Sequence, residues 1–324
     1  MADCEAVAQD VHLLQQVVPG RVVRLYPVSR PGTRIPRALW GFQHLLAIRR
    51  AERFVDFHHI FNPDPFPFPV LRFLRKPVVY SVVGGIRQQH LAMALRLAQL
   101  VQMIVVSTAT DAERLRCWGI DRVHYVLPAV ETSRFSYVPL AADAPPVLLA
   151  GSAPWTIEQF VSKGVDALLT AAQRRRDLRL IFLWRGVLFD EMMRRVRQRH
   201  LEQRVQVLNE RVDVNAVLSV ATAAVVLADR SDIVKAHPHS LLESLAAGRP
   251  VLVSRAVPMS EWVEQSGLGL VIEKVEADAI LDAVDQLRDH PWRWHPSKLQ
   301  DAVRFRKEQF VESYKILYTS LTGN

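Results

Sequence analysis

The chain has 324 residues, 49 % of them apolar, which exceeds a usual single core and makes two globular domains the expectation. Its net charge of +8 favours anionic partners such as nucleotide diphosphates, anionic lipid surfaces or nucleic acid, without choosing among them. Two cysteines, Cys4 and Cys117, give no disulfide framework; the first residues lack a secretion signal and no apolar run reaches membrane-helix length, so the expected location is cytoplasmic, with attachment to a membrane surface as the other reading.

Short apolar strands alternate with helical stretches, the pattern of doubly wound α/β domains. In the first half, 22–28, 55–60, 77–83 and 103–107 read as strands, and 6–18, 37–52, 86–100 and 110–117 as helices. Within 34–53, Leu39, Trp40, Phe42, Leu45, Leu46 and Ile48 are interleaved with five arginines. A basic amphipathic helix of this kind can lie on an anionic membrane; a helix packed on the sheet with a charged outer face is the bland reading. His58 and His59 end the segment FVDFHH, and Gly84 and Gly85 end KPVVYSVVGG, where they permit close backbone approach to a ligand. The turn-rich segment 137–146, YVPLAADAPP, reads as a linker. Beyond it 147–150, 178–184, 205–208, 223–227, 251–254 and 269–272 read as strands with helices between, and the tail at about 300–320 is helical.

The stretch 235–254, KAHPHSLLESLAAGRPVLVS, is the most informative. Ser240 can cap a helix, with Glu243 at capping-box spacing. Leu241, Leu242, Leu245 and Ala246 make one apolar face, Gly248 and Pro250 stop the helix, and Val251, Leu252 and Val253 read as a buried parallel strand. A loop entering a helix beside a parallel sheet is an anion site, because uncapped N–H groups and the helix dipole both favour negative charge.

This stretch resembles the donor-nucleotide segment of retaining GT-B glycosyltransferases of the family 4 type (glycosyl transferases group 1), which carries two glutamates and then "EA-A-G-PVV". VSKGVDALLTAA (161–172) and SEWVEQSGLGLVIE (260–273) are similar to two further segments of that family, and 106–115 and 124–135 to two in its first domain. The resemblance implies an α/β GT-B fold of two Rossmann-like domains facing a cleft. An acceptor-side domain would span 1–142 and a donor-binding domain 143–305, with a C-terminal helix, about 306–324, crossing back to the first. The family opens with a strand and a glycine-rich loop, and neither is visible before residue 20. Either the chain begins inside a longer natural protein or it lacks that strand.

The resemblance also implies roles. Glu243 would accept hydrogen bonds from the ribose hydroxyls, and Lys163 would meet the diphosphate and stabilise leaving-group charge. The family's arginine after the preceding strand is replaced by Ser152, with Arg185 as the candidate substitute. Lys235 stands where the first glutamate would hold the transferred sugar. A lysine donates rather than accepts, so the site takes an acidic sugar, uses Lys235 on the diphosphate, or leaves it solvated in a degenerate site. Backbone N–H groups of His237, His239 and Ser240 are expected near the phosphates. The H-x-H spacing also occurs in metal sites, but no third ligand is recognisable and the implied chemistry needs no metal or cofactor. Asn209 to Val212 correspond to the base-contacting loop, and Val83 to the family's histidine near the reacting sugar.

The expected reaction is sugar transfer from a nucleoside diphosphate sugar to an acceptor hydroxyl, with retention implied by the resemblance alone. The acceptor is a glycan, a lipid-linked compound or a small molecule. The alternative is a catalytically weak relative that binds a nucleotide or a protein. A nucleotide-dependent epimerase would need a G-x-G-x-x-G turn after its first strand, which is absent. Nucleic acid is not an expected partner, since the charge is dispersed and no recognition motif occurs.

Overall fold

The computed structural model describes residues 6–26, 35–141, 143–184, 187–289 and 305–322. The chain divides into two compact units, Met1–Ala129 with Lys307–Asn324, and Val130–Arg306. The division falls ahead of the turn-rich segment 137–146, which belongs to the second unit.

The first unit is built on four parallel strands in the order β1 (His58–Asn62), β2 (Val78–Val82), β3 (Met103–Val106) and β4 (Val123–Tyr125). Helices α1 (Ala6–Gln15), α2 (Leu45–Ala51), α3 (Leu91–Ala98) and α4 (Ala109–Cys117) surround it. β2 is buried along its whole length, as a near-continuous apolar run covered on both faces must be. Its side chains alternate between two cores. Val78, Tyr80 and Val82 join Phe68, Leu97 and Leu115 on one face, while Val79 joins Leu13, Val105 and Phe310 on the other.

The second face is closed by the last helix, Lys307–Thr322, the twelfth in chain order (α12). A polar chain runs through its apolar contact. His59 Nδ1 bonds the Tyr318 hydroxyl at 2.5 Å, and Nε2 bonds Ser81 Oγ at 2.8 Å. Ser81 Oγ in turn meets the Tyr314 hydroxyl at 3.0 Å. The imidazole also packs against the rings of Phe61, Tyr314 and Tyr318. Burial pushes its pKa down to about 3, so it is neutral and can donate at one nitrogen and accept at the other.

Three expectations for this unit are corrected. Residues 22–26 form no strand, and 27 and 28 lie outside the described residues. The segment 37–52 is not one helix: 3₁₀ turns Arg37–Leu39 and Phe42–His44 precede α2, and the chain reverses at Gly41, φ +91°. His58 and His59 begin β1 rather than ending a strand, which points His59 into the core.

The second unit is a six-stranded parallel sheet of β5 (Val147–Ala150), β6 (Arg179–Leu183), β7 (Val205–Leu208), β8 (Ala223–Val226), β9 (Val251–Ser254) and β10 (Gly269–Ile272). Its helices are α5 (Gln159–Ser162), α6 (Val165–Arg174), α7 (Phe189–Gln198), α8 (Val214–Val220), α9 (His239–Ala246), α10 (Ser260–Ser266) and α11 (Ala277–Asp289). Leu148 of β5 faces a core with Phe160, Leu168, Phe182 and Trp184; Leu149 faces the opposite core with Leu218 and Ala247. Among the described residues no helix is long and apolar enough to cross a membrane.

The His59 chain makes the first unit acid-sensitive. The unfolded chain takes up a proton near pH 6.5, whereas the folded imidazole resists protonation until about 3. Its contribution is therefore complete above 6.5 and lost as pH falls through that window. His59→Ala is expected to cost about 1–3 kcal/mol at neutral pH, from the two buried hydrogen bonds it removes, and to flatten the acid limb of the stability curve. Chemical denaturation across this range measures both. An acid limb as steep as wild type would remove His59 as its source.

Candidate active site

The site follows from strand order. The second sheet runs β10-β9-β8-β5-β6-β7, so the chain steps outward from β5 to β7 and returns with β8 on the other side of β5. In open parallel sheets ligands bind outside the carboxyl ends of the strands where this reversal occurs. Here that place lies past Ala150 of β5 and Val226 of β8.

Lys163 is brought there by a broken helix. Lys163 is the C-cap of α5, and Gly164 turns the chain into α6 with φ +69°. A Cβ on Gly164 would stand 2.6 Å from Leu227 Cδ1 and 2.7 Å from Val275 Cγ1, so only glycine fits both the angle and the space. The Ser162 carbonyl accepts from Asp229 N–H at 2.9 Å, tying this kink to the chain leaving β8. Lys163 is buried, and its Nζ donates to Ser152 Oγ at 3.2 Å and to the Ala153 carbonyl at 3.3 Å. Desolvation lowers its pKa, and among the described residues no carboxylate pairs with it. A buried ammonium ion held only by neutral oxygens favours an anion beside it.

The helix after β8 opens at the same edge. α9 begins at His239 with Pro238 at its N-cap and no side-chain cap. Ser240 lies inside the helix, so the expected capping box with Glu243 is not formed; Pro238, already extended with ψ 122°, takes the cap position instead. Ser240 packs on the end of β5 so closely that a Cβ on Gly151 would lie 2.8 Å from its own. The first turn of α9 and the Gly151–Ser152–Ala153 turn that holds Lys163 therefore share one locality. Glu243, one turn further along α9, is half-buried, and Lys235, ahead of the helix, is exposed.

The two histidines have different settings. His237 packs on Phe305, ring centroids 5.7 Å apart. His239 has its pKa pushed down to about 3, by desolvation first and then by Lys235 and His237, and its buried Nδ1 lacks a hydrogen-bond partner among the described residues. Among the described residues no three His, Cys, Asp or Glu side chains group as metal ligands.

The remaining expected residues are not gathered here. Asn209 and Val212 follow β7 on the same sheet edge, but β6 separates β7 from β5. Arg185 lies outside the described residues. Gly84 and Gly85 belong to the first unit, past the end of β2. The closeness that Gly84 permits is taken up internally: its N–H donates to Pro63 O at 2.9 Å, and a Cβ there would lie 2.4 Å from that oxygen. Sequence reasoning saw Ser152 only as a missing arginine and gave no role to the Ala153 carbonyl; a backbone acceptor leaves no residue-type signal.

Residues 156–306 match the model of the family glycosyl transferases group 1. No curated protein sequence matches the chain. Among solved structures it is similar to HepE of Anabaena in complex with UDP-glucose, TM-score 0.70 at 15 % identity over 97 % of this chain and 89 % of that one. It is also similar to a sucrose-phosphate synthase from Thermosynechococcus elongatus, TM-score 0.68 at 15 % identity over 91 % and 82 %. WaaG, a glycosyltransferase involved in lipopolysaccharide biosynthesis, gives TM-score 0.65 at 14 % identity over 98 % and 96 %. At such identities the likeness speaks for the fold, two Rossmann-like domains of the GT-B type. The chain thus has a GT-B-type fold, and its residues 156–306 match the model of the glycosyl transferases group 1 family.

Proposed function

We propose that this protein transfers a sugar from a nucleoside diphosphate sugar to an acceptor hydroxyl, as a family 4-type enzyme acting with retention and without a metal. The observation that carries the donor assignment is Lys163, a desolvated ammonium ion without a counter-charge among the described residues, at the reversal point of the second sheet. The family match over 156–306 supports the reaction class, and the KG and "LESLAAGRPVLVS" segments support retention by likeness alone.

In this reading the diphosphate sits between Lys163 and the uncapped first turn of α9. Both are positive, and both are set in place before the donor arrives. Negative charge grows on the diphosphate as the glycosidic bond breaks, so these groups bind the transition state more strongly than the ground state. Glu243, a half-buried acceptor further along α9, takes the ribose hydroxyls. Asn209 and Val212 lie toward the base, and Lys235 faces the sugar or the diphosphate. Exclusion of water and orientation of the acceptor hydroxyl complete the task.

The assignment is tested by calorimetric titration with UDP, GDP and ADP, for wild type and Glu243→Ala. Saturable binding of one nucleotide is expected, about tenfold or more weaker in the variant, which loses charged hydrogen bonds of about 1.5–3 kcal/mol. Binding should also weaken as pH rises through the lowered pKa of Lys163, because the neutral amine no longer attracts phosphate. Undiminished affinity in Glu243→Ala would sink the ribose role, and no binding of any nucleotide would sink the donor site.

A further inference from the structure

The breakage of segment 37–52 creates a surface different from the amphipathic helix its sequence suggests. Trp40, Phe42 and Leu45 pack against the first unit's core, but Leu46 is 77 % exposed and Phe54 88 %. A second segment lies alongside. Arg49 Nη1 donates to the Phe73 carbonyl at 2.7 Å, and the rings of Phe42 and Phe73 meet edge to face at 5.5 Å. The Glu52 carboxylate accepts the Arg75 N–H at 2.6 Å, joining the end of α2 to the chain entering β2. This places Phe73, 50 % exposed, beside the α2 surface.

The same surface is cationic. Arg49 and Arg50 follow Leu46 at helical spacing, on its side of α2, and Arg53 lies in the turn just past that helix. Arg50, Arg53, Arg72 and Arg75 are exposed, and Lys76 is half-buried. Of the carboxylates in 45–76, Glu52 is buried and bonded to His58, and Asp64 is paired with Arg37 at 2.6 Å; Asp56 alone is exposed. Single exposed apolar side chains are ordinary on protein surfaces. Large ones set among arginines with so little opposing charge mark an interaction site.

We propose that this surface docks the first unit onto a membrane containing anionic lipid. Leu46, Phe54 and Phe73 enter the interfacial layer, while Arg50, Arg53, Arg72 and Arg75 meet lipid phosphates. A soluble polyanion would satisfy the arginines but leave Leu46 and Phe54 in water, so charge and apolar exposure together favour lipid. The inference rests on residues of the first unit alone and does not depend on the reaction proposed above.

The test is flotation of the full chain with phosphatidylcholine vesicles, with and without phosphatidylglycerol. Two double variants accompany it, Leu46→Ser with Phe54→Ser, and Arg50→Glu with Arg53→Glu. All four side chains are exposed, so the melting temperature should stay at the wild-type value and serves as the folding control. Wild type is expected to float only with the anionic vesicles and to be released by salt. Each variant should bind about tenfold more weakly or worse. Equal binding to both vesicle types, binding to neither, or an apolar variant that floats like wild type would each overturn the proposal, the last because it would show adsorption of charge without insertion.

Discussion

The second unit is arranged around one costly placement, the ammonium group of Lys163 taken out of water and set on two neutral oxygens, Ser152 Oγ and the Ala153 carbonyl. Burying a charge without a counter-charge is unfavourable, so the surrounding structure has to hold it there. The break between α5 and α6, with Gly164 in a left-handed conformation against Leu227 and Val275, leaves the side chain directed at the turn after β5. The bond from Asp229 to Ser162 fixes the kink against the chain leaving β8. Ser254 Oγ, bonded to both N–H and C=O of Ala228, fixes that chain against β9. These links close a ring of backbone around the place where the strand order reverses. An anion placed there would meet a charge and a helix terminus already in position.

The first unit uses buried polarity differently. The chain Tyr318–His59–Ser81–Tyr314 joins the final helix to the first two strands with its polar ends matched to one another. Burial keeps both phenols protonated and the imidazole neutral, so every member can supply its hydrogen bond without a charge. Satisfied networks of this kind specify register and attachment. Lys163 is the opposite case: a charge whose best partner is absent from the chain's own described groups, as expected of a ligand contact rather than a structural one.

Much of the second unit was legible in the sequence because its strands are short, apolar and buried on both faces. Segments 147–150, 205–208, 251–254 and 269–272 coincide with β5, β7, β9 and β10. The first unit was harder to read. Segment 22–28 carries strand-like residues, but its described part pairs with no sheet. Segment 37–52 has helical periodicity, yet Gly41 divides it, and the apolar residues split between core and surface. Ser240 had the composition of a cap, but the helix starts at His239, with the extended Pro238 at the cap position and Ser240 inside, beside Gly151. Lys163 was recognisable from the K-G pair, whereas its backbone acceptor was not, since carbonyls are common to every residue. The family match covers the readable part, 156–306, and the likeness to solved GT-B structures extends the fold to the remainder.

Lys163 is either a ligand contact or a structural group, and the two differ in what its removal does. The most direct measurement is the affinity of Lys163→Met for the nucleotide that wild type binds, with the melting temperature of the ligand-free protein recorded alongside. Removing a desolvated, uncompensated charge should leave the ligand-free protein at least as stable as wild type. Nucleotide affinity should fall about tenfold to a hundredfold, the loss of a charged hydrogen bond of about 1.5–3 kcal/mol. Wild-type affinity in the variant, or a ligand-free protein that melts well below wild type, would contradict the account by making the ammonium a structural group.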